Sequence, residues 1–96
     1  MAQRSKTGQS RHDRGVMQMV TQLKQNGFSV KADLPNFVKP AQIGGFVPDV
    51  EAHKGVQKVI GEVETKDSMA SDIDQRRAFR TNADALKNTT FKLKKV

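Results

Sequence analysis

A chain of 96 residues with a net charge of +7, 35% hydrophobic residues and no cysteine has room for one small core. It must hold that core by packing, without disulfides or cysteine-ligated zinc. The charge and a pI near 10.1 favour a polyanionic partner, with an anionic membrane surface or a basic structural role as the alternatives. No apolar run reaches the roughly 18 residues of a membrane span, and MAQRSKTGQSRHDR at the start lacks the apolar centre of a secretion signal, so the expectation is a cytoplasmic protein that stays out of membranes.

Residues 1–9 are polar and basic and are expected to form a flexible tail ahead of one domain spanning 10–96. Arg4, Lys6, Arg11 and Arg14 are cations that either follow a phosphate backbone or are simply solvated. Ser10, with Asp13 three residues later, has the form of an N-cap box with Asp in place of the usual Glu. Val16, Met19, Val20 and Leu23 recur at helical spacing and Gly27 suits the position after a helix, which predicts a helix over Arg11–Asn26. Next, Phe28, Val30, Ala32 and Leu34 alternate with Ser29, Lys31 and Asp33, the pattern of a half-buried strand that stops at Leu34-Pro35. Pro35 to Gly45, with two prolines and a Gly-Gly pair, reads as an irregular connection. Its Phe37, Val38 and Ile43 either anchor in the core or contact unpaired bases, and anchoring is the commoner use.

Phe46, Val47 and Val50 suggest a second strand with Asp49 and Glu51 on one face. A turn over Ala52–Gly55 would bring Asp49 across from the next strand, Val59–Thr65. There Glu62 and Glu64 emerge on one side while Val59 and Val63 fill the other. Two carboxylates about 4 Å apart at an effective dielectric of about 20 repel by roughly 4 kcal/mol, so such a pair needs a cation. Three hard oxygen donors suit Mg²⁺ or Mn²⁺. The competing reading is an amphipathic strand whose Glu62 and Glu64 line a wet face, paired with Lys54, Lys58 and Lys66. Glu51 is a further candidate ligand, with a salt bridge to a lysine as its alternative; His53 is a candidate ligand or base, with an ordinary turn position as its alternative.

Asp67 or Ser68 can cap a helix reaching Leu86 or Lys87. Its apolar positions, Met69, Ile73, Phe79, Ala83 and Leu86, make a stripe that drifts around the axis. Arg76 and Arg80 share one face near that stripe; they are aimed at the acids or at a phosphate, unless they pair within the helix. Asn88 to Val96 reads as a basic closing strand.

Pro48-Asp49, a spacer of a dozen residues, then Glu62-Val63-Glu64 resembles the active-site signature of the PD-(D/E)xK nuclease superfamily, which includes restriction endonucleases and Holliday junction resolvases. The order helix, three strands, helix, strand resembles that superfamily's minimal core over nearly the whole chain. The resemblance implies an α/β, restriction endonuclease-like fold of order α-β-β-β-α-β, its central mixed sheet flanked by helices. It also implies a metal-dependent DNA endonuclease in which Asp49, Glu62 and the carbonyl of Val63 bind Mg²⁺ or Mn²⁺. Family members usually carry lysine where this chain has Glu64. A carboxylate there can accept a proton or hold a second ion, and Lys66, two residues on, or Lys58 on the other side, is a candidate for a migrated lysine. Gln75 and Phe79 reproduce a Gln-x-x-x-aromatic spacing similar to that of some members, which adds Gln75 to Arg76, Arg80, Arg11 and Arg14 as candidate nucleic-acid contacts. Resolvases often place an acid on the first helix, but Gly15–Gln25 has none. Gln18 and Gln22 there either bind a cation's water or face solvent. The expected partner is duplex or branched DNA, with a homodimer as a further expectation. A catalytically degenerate nucleic-acid-binding module of the same fold, or a small RNA-associated structural protein, are the alternatives.

Overall fold

The computed structural model describes residues 6–96. In chain order these form α1 (Lys6–Gln25), β1 (Ser29–Ala32), β2 (Val50–Lys54), β3 (Gln57–Glu64), α2 (Lys66–Ser71), α3 (Ile73–Ala85) and β4 (Thr89–Lys95). The strands make one sheet in the spatial order β1-β2-β3-β4, antiparallel across the first two pairings and parallel across the last. The chain is therefore an α/β protein with a four-stranded mixed sheet.

Helix α1 buries Val16, Met19, Val20 and Leu23, the row that period-3.6 geometry stacks on one side. It ends in a Schellman motif. Gly27 adopts φ +88°, the amide of Phe28 donates to Leu23 O at 3.0 Å, and that of Gly27 donates to Lys24 O at 3.0 Å. The start differs from expectation. The helix already covers residues 6–9, so Ser10 is not its cap, and Asp13 instead accepts from Gln9 Nε2 at 2.9 Å. The tail expected for residues 1–5, Arg4 included, lies outside the described residues.

The core lies between α1 and one face of the sheet, where the helix row meets Ala32, Leu34, Val50, Ala52, Val59 and Val63. Strand β3 turns Val59, Gly61 and Val63 to this side by alternation. Gly61 is the point of closest approach: a Cβ there would collide with the Met19 thioether and lie 3.2 Å from Val50 Cβ. Helices α2 and α3 pack against β3 and β4, on the face to which Ile60, Glu62 and Glu64 turn. Phe79, fully buried, centres this second layer, with Phe46 edge-on at 6.4 Å and Phe91 at 6.5 Å.

Three boundaries depart from the sequence pattern for local reasons. Strand β2 begins only at Val50, because Pro48 has no amide to extend a ladder; Phe46 forms just an isolated bridge to Ile43 around Gly44-Gly45. The helix expected from Asp67 or Ser68 is capped earlier, by Thr65, which forms a capping box with Ser68. It also breaks at Asp72 (φ −98°, ψ 30°). That break resets the helical phase, so Phe79 and Ala83 face inward while Ile73 and Leu86 are exposed. Among the described residues no helix is long and apolar enough to cross a membrane.

Candidate functional site

Register puts the first two acids together. Val50 pairs with Gly61 as the last rung between β2 and β3, so Asp49 stands one step past the ladder, opposite Glu62. The two residues exchange side-chain bonds with each other's strand where ladder bonds stop: the Asp49 amide donates to Glu62 Oε1 at 2.9 Å, and the Val63 amide donates to Asp49 Oδ2 at 2.9 Å. Gln75 Nε2, from α3, donates to Glu62 Oε2 at 2.9 Å. Asp49 is 8% exposed and Glu62 1%.

Glu64 follows on the same face of β3, 0% exposed, and neither of its oxygens has a hydrogen-bond partner. Its nearest cation is Arg76, whose Nη1 lies 3.9 Å from Oε1 and is itself unpartnered, while Nη2 donates to Met69 O at 2.7 Å. The wet-face reading of this strand is therefore overturned. Both glutamates are buried, and Lys54, one of the lysines proposed to pair with them, reaches Asn26 O instead.

Burial dominates the electrostatics. Removal from water, followed by the charges of Asp49 and Glu64, pushes the Glu62 carboxyl from its ordinary 4.5 up to about 10, against the opposing pull of the Asp49 amide. Glu62 thus keeps its proton at neutral pH unless a cation arrives. Glu51 goes the other way. Burial would raise it, but the bond to His53, the Ala41 amide and the charges of Lys31 and Lys58 together hold it below the usual carboxylate value.

One member of the site was missed in the sequence. His12, on α1 and only 4% exposed, places Nε2 3.1 Å from Asp49 Oδ2 and Nδ1 3.2 Å from Asp13 Oδ1. The signal was available: His12 lies four residues before Val16 and so belongs to the buried row of the helix. The first helix does reach the acids, through an imidazole in place of a carboxylate.

The other candidates fall elsewhere. Glu51 accepts from the Ala41 amide at 2.9 Å, meets His53 Nε2 at 2.6 Å and lies 3.9 Å from Lys31. The salt-bridge reading of Glu51 holds, and His53, in β2 rather than in a turn, serves that pair. Lys66 is exposed at the start of α2, so the alternation expected to carry it to Glu64's side stops at Thr65. Gln75, expected as a nucleic-acid contact, is buried against Glu62. Arg80 stacks over Phe91, 5.1 Å from the ring centre. Arg11, Arg14, Gln18 and Gln22 are exposed on α1.

Among the described residues no three His, Asp or Glu side chains are arranged to enclose a metal ion. Mg²⁺, however, commonly takes one or two carboxylates and keeps its remaining waters. The donor set meets that requirement: Asp49 and Glu62 are adjoining hard oxygen donors, and the bare oxygens of Glu64 lie beside them on the strand. Comparison of the chain with protein-family models, curated proteins and solved structures returns no match.

Proposed function

We propose that this chain is a Mg²⁺- or Mn²⁺-dependent DNA endonuclease of the PD-(D/E)xK kind, built on a restriction endonuclease-like core. The observation that carries the reading is the buried carboxylate row Asp49, Glu62 and Glu64, in which Glu62 is held protonated by its surroundings and Glu64 has no hydrogen-bond partner. A row of this kind is costly to a fold unless a cation compensates it, and perturbed carboxyls gathered in one place mark functional sites. Asp49 and Glu62 would hold the ion, with the carbonyl of Val63 as the third donor that the resemblance implies. Once bound, the cation would lower the pKa of a water and offset charge building on the scissile phosphate.

The protein's own groups have defined tasks in this reading. The Asp49 amide and Gln75 fix both oxygens of Glu62, so that carboxylate is oriented before any ligand arrives. Glu64 accepts a proton from the attacking water or holds a second ion, and Arg76 is the cation available to the phosphate. Arg11 and Arg14, exposed on α1, add to the charge of +7 that draws a polyanion. Branched DNA as substrate and a homodimer as the working unit are part of the proposal.

One alternative, a binding-only domain of the same fold, is favoured by the position of Lys66, exposed at the start of α2 and off the strand that carries Glu64, and by that of Lys58, in β3 with its charge acting on Glu51. Purified protein with Mg²⁺ or Mn²⁺ is expected to cut duplex, flapped or branched DNA, and Asp49→Ala or Glu62→Ala to abolish the cutting. Cleavage that survives both substitutions overturns the proposal. Salt-sensitive DNA binding with no uptake of Mn²⁺ selects the binding-only domain.

A further inference from the structure

We infer that His12 is a positioning residue for Asp49, which makes helix α1 a working part of the acidic site; the inference rests on the proposed role of Asp49 as an ion-holding group. Asp49 lies outside the β2–β3 ladder, so sheet pairing alone does not orient its side chain. Two groups do so: the Val63 amide at 2.9 Å and His12 Nε2 at 3.1 Å, both on Oδ2. Oδ1 accepts no hydrogen bond from the described residues. The carboxylate is thus gripped by one oxygen and keeps the other for a ligand.

His12 is held in turn. Asp13 Oδ1 faces its Nδ1 at 3.2 Å and is itself fixed by Gln9 Nε2 at 2.9 Å. The series Gln9, Asp13, His12, Asp49 runs from the helix surface to the site. Carboxylate oxygens only accept, so the imidazole must supply the proton of the Nε2–Oδ2 bond, and a bond from Nδ1 to Asp13 Oδ1 requires a proton on that nitrogen as well. Outer partners of this kind set the orientation of metal-holding groups, and losing one typically weakens metal binding by about 10- to 100-fold. A purely architectural histidine would not show that dependence.

The test uses the full chain and three variants. Mn²⁺ binding is measured by titration calorimetry, and amide hydrogen exchange is followed at Val63 and, as an internal reference, at Ile60. His12→Ala is expected to weaken Mn²⁺ binding at least about 10-fold and to speed exchange at Val63 but not at Ile60. His12→Gln, whose amide can donate from nearly the same position, is expected to recover most of both. Asp13→Asn is expected to fall between them. A folded His12→Ala protein with wild-type Mn²⁺ affinity and unchanged Val63 exchange overturns the inference, as does His12→Gln failing to restore either reading. If the wild-type chain takes up no Mn²⁺, the proposed function falls, and Val63 exchange still decides whether His12 positions Asp49.

Discussion

Replacing Glu62 by glutamine tests the electrostatic reading directly. Burial and the neighbouring Asp49 charge push the Glu62 carboxyl in the folded chain from its ordinary 4.5 up to about 10. Between those values the folded chain keeps a proton that the unfolded chain has released. The unfolded state therefore binds fewer protons, and stability falls as pH rises, by about 1.4 kcal/mol per unit for one proton. The contribution is fully present below pH 4.5 and is lost progressively toward pH 10; between pH 6 and pH 8 the loss is about 3 kcal/mol. Glu62→Gln removes the titration and keeps the shape. Its amide oxygen can still accept from the Asp49 amide, and Gln75 can turn its own amide over to accept from the new NH₂ group. With no Trp or Tyr in the chain, the assay is urea unfolding followed by far-ultraviolet circular dichroism at several pH values. The stability of the variant minus that of the wild type should climb by about 1.4 kcal/mol per pH unit. Saturating Mn²⁺ should flatten the wild-type profile by displacing the proton. Parallel profiles for the two metal-free proteins between pH 5 and 8 would refute the reasoning, because Glu62 would then be ionised already.

Three further outcomes follow from the packing. Arg76→Leu leaves the buried Glu64 carboxylate without its neighbouring cation and should cost about 3 kcal/mol; adding Glu64→Gln should recover part of the loss, and strict additivity in that cycle would show that the two groups do not interact. Phe79→Ala, which empties the centre of the second layer, should destabilise the protein by about 3–5 kcal/mol; a urea midpoint unchanged from wild type would contradict the burial of that ring. Gly61→Ala should cost about 1–3 kcal/mol through contact with Met19 and Val50, and the double variant with Met19→Ala should be less destabilised than the sum of the singles.

The acidic pair was legible because two residues apart on a strand means one face, and the hairpin register needed only one reversal between Asp49 and Glu62. The row Val16, Met19, Val20 and Leu23 was legible for the same kind of reason, a period carried by apolar side chains. The features that escaped lack such a period. His12 continues the row with a polar group, so counting hydrophobic positions passes over it. Thr65 closes a β-branched run and reads as strand, yet its hydroxyl accepts from the Ser68 amide and starts a helix. The break at Asp72 leaves no sequence mark comparable to a proline, and without it the phase of Gln75 and Phe79 could not be assigned. Lys66 shows the converse error, a strand alternation extended one residue beyond where the strand ends.

The sheet also sets the order in which the acids lose their water. Strands β2 and β3 meet across the Lys54–Gln57 reversal, a local event, whereas β4 reaches β3 only after the chain has passed through both later helices. Non-local pairing of that sort comes late in folding. Asp49, Glu62 and Glu64 all precede in the chain the segment that completes their burial, α3 with Gln75 and Phe79 and the strand β4 that pairs beside β3. Docking of the C-terminal third is then the step at which a divalent ion in the surrounding solution would contribute most to completing the fold.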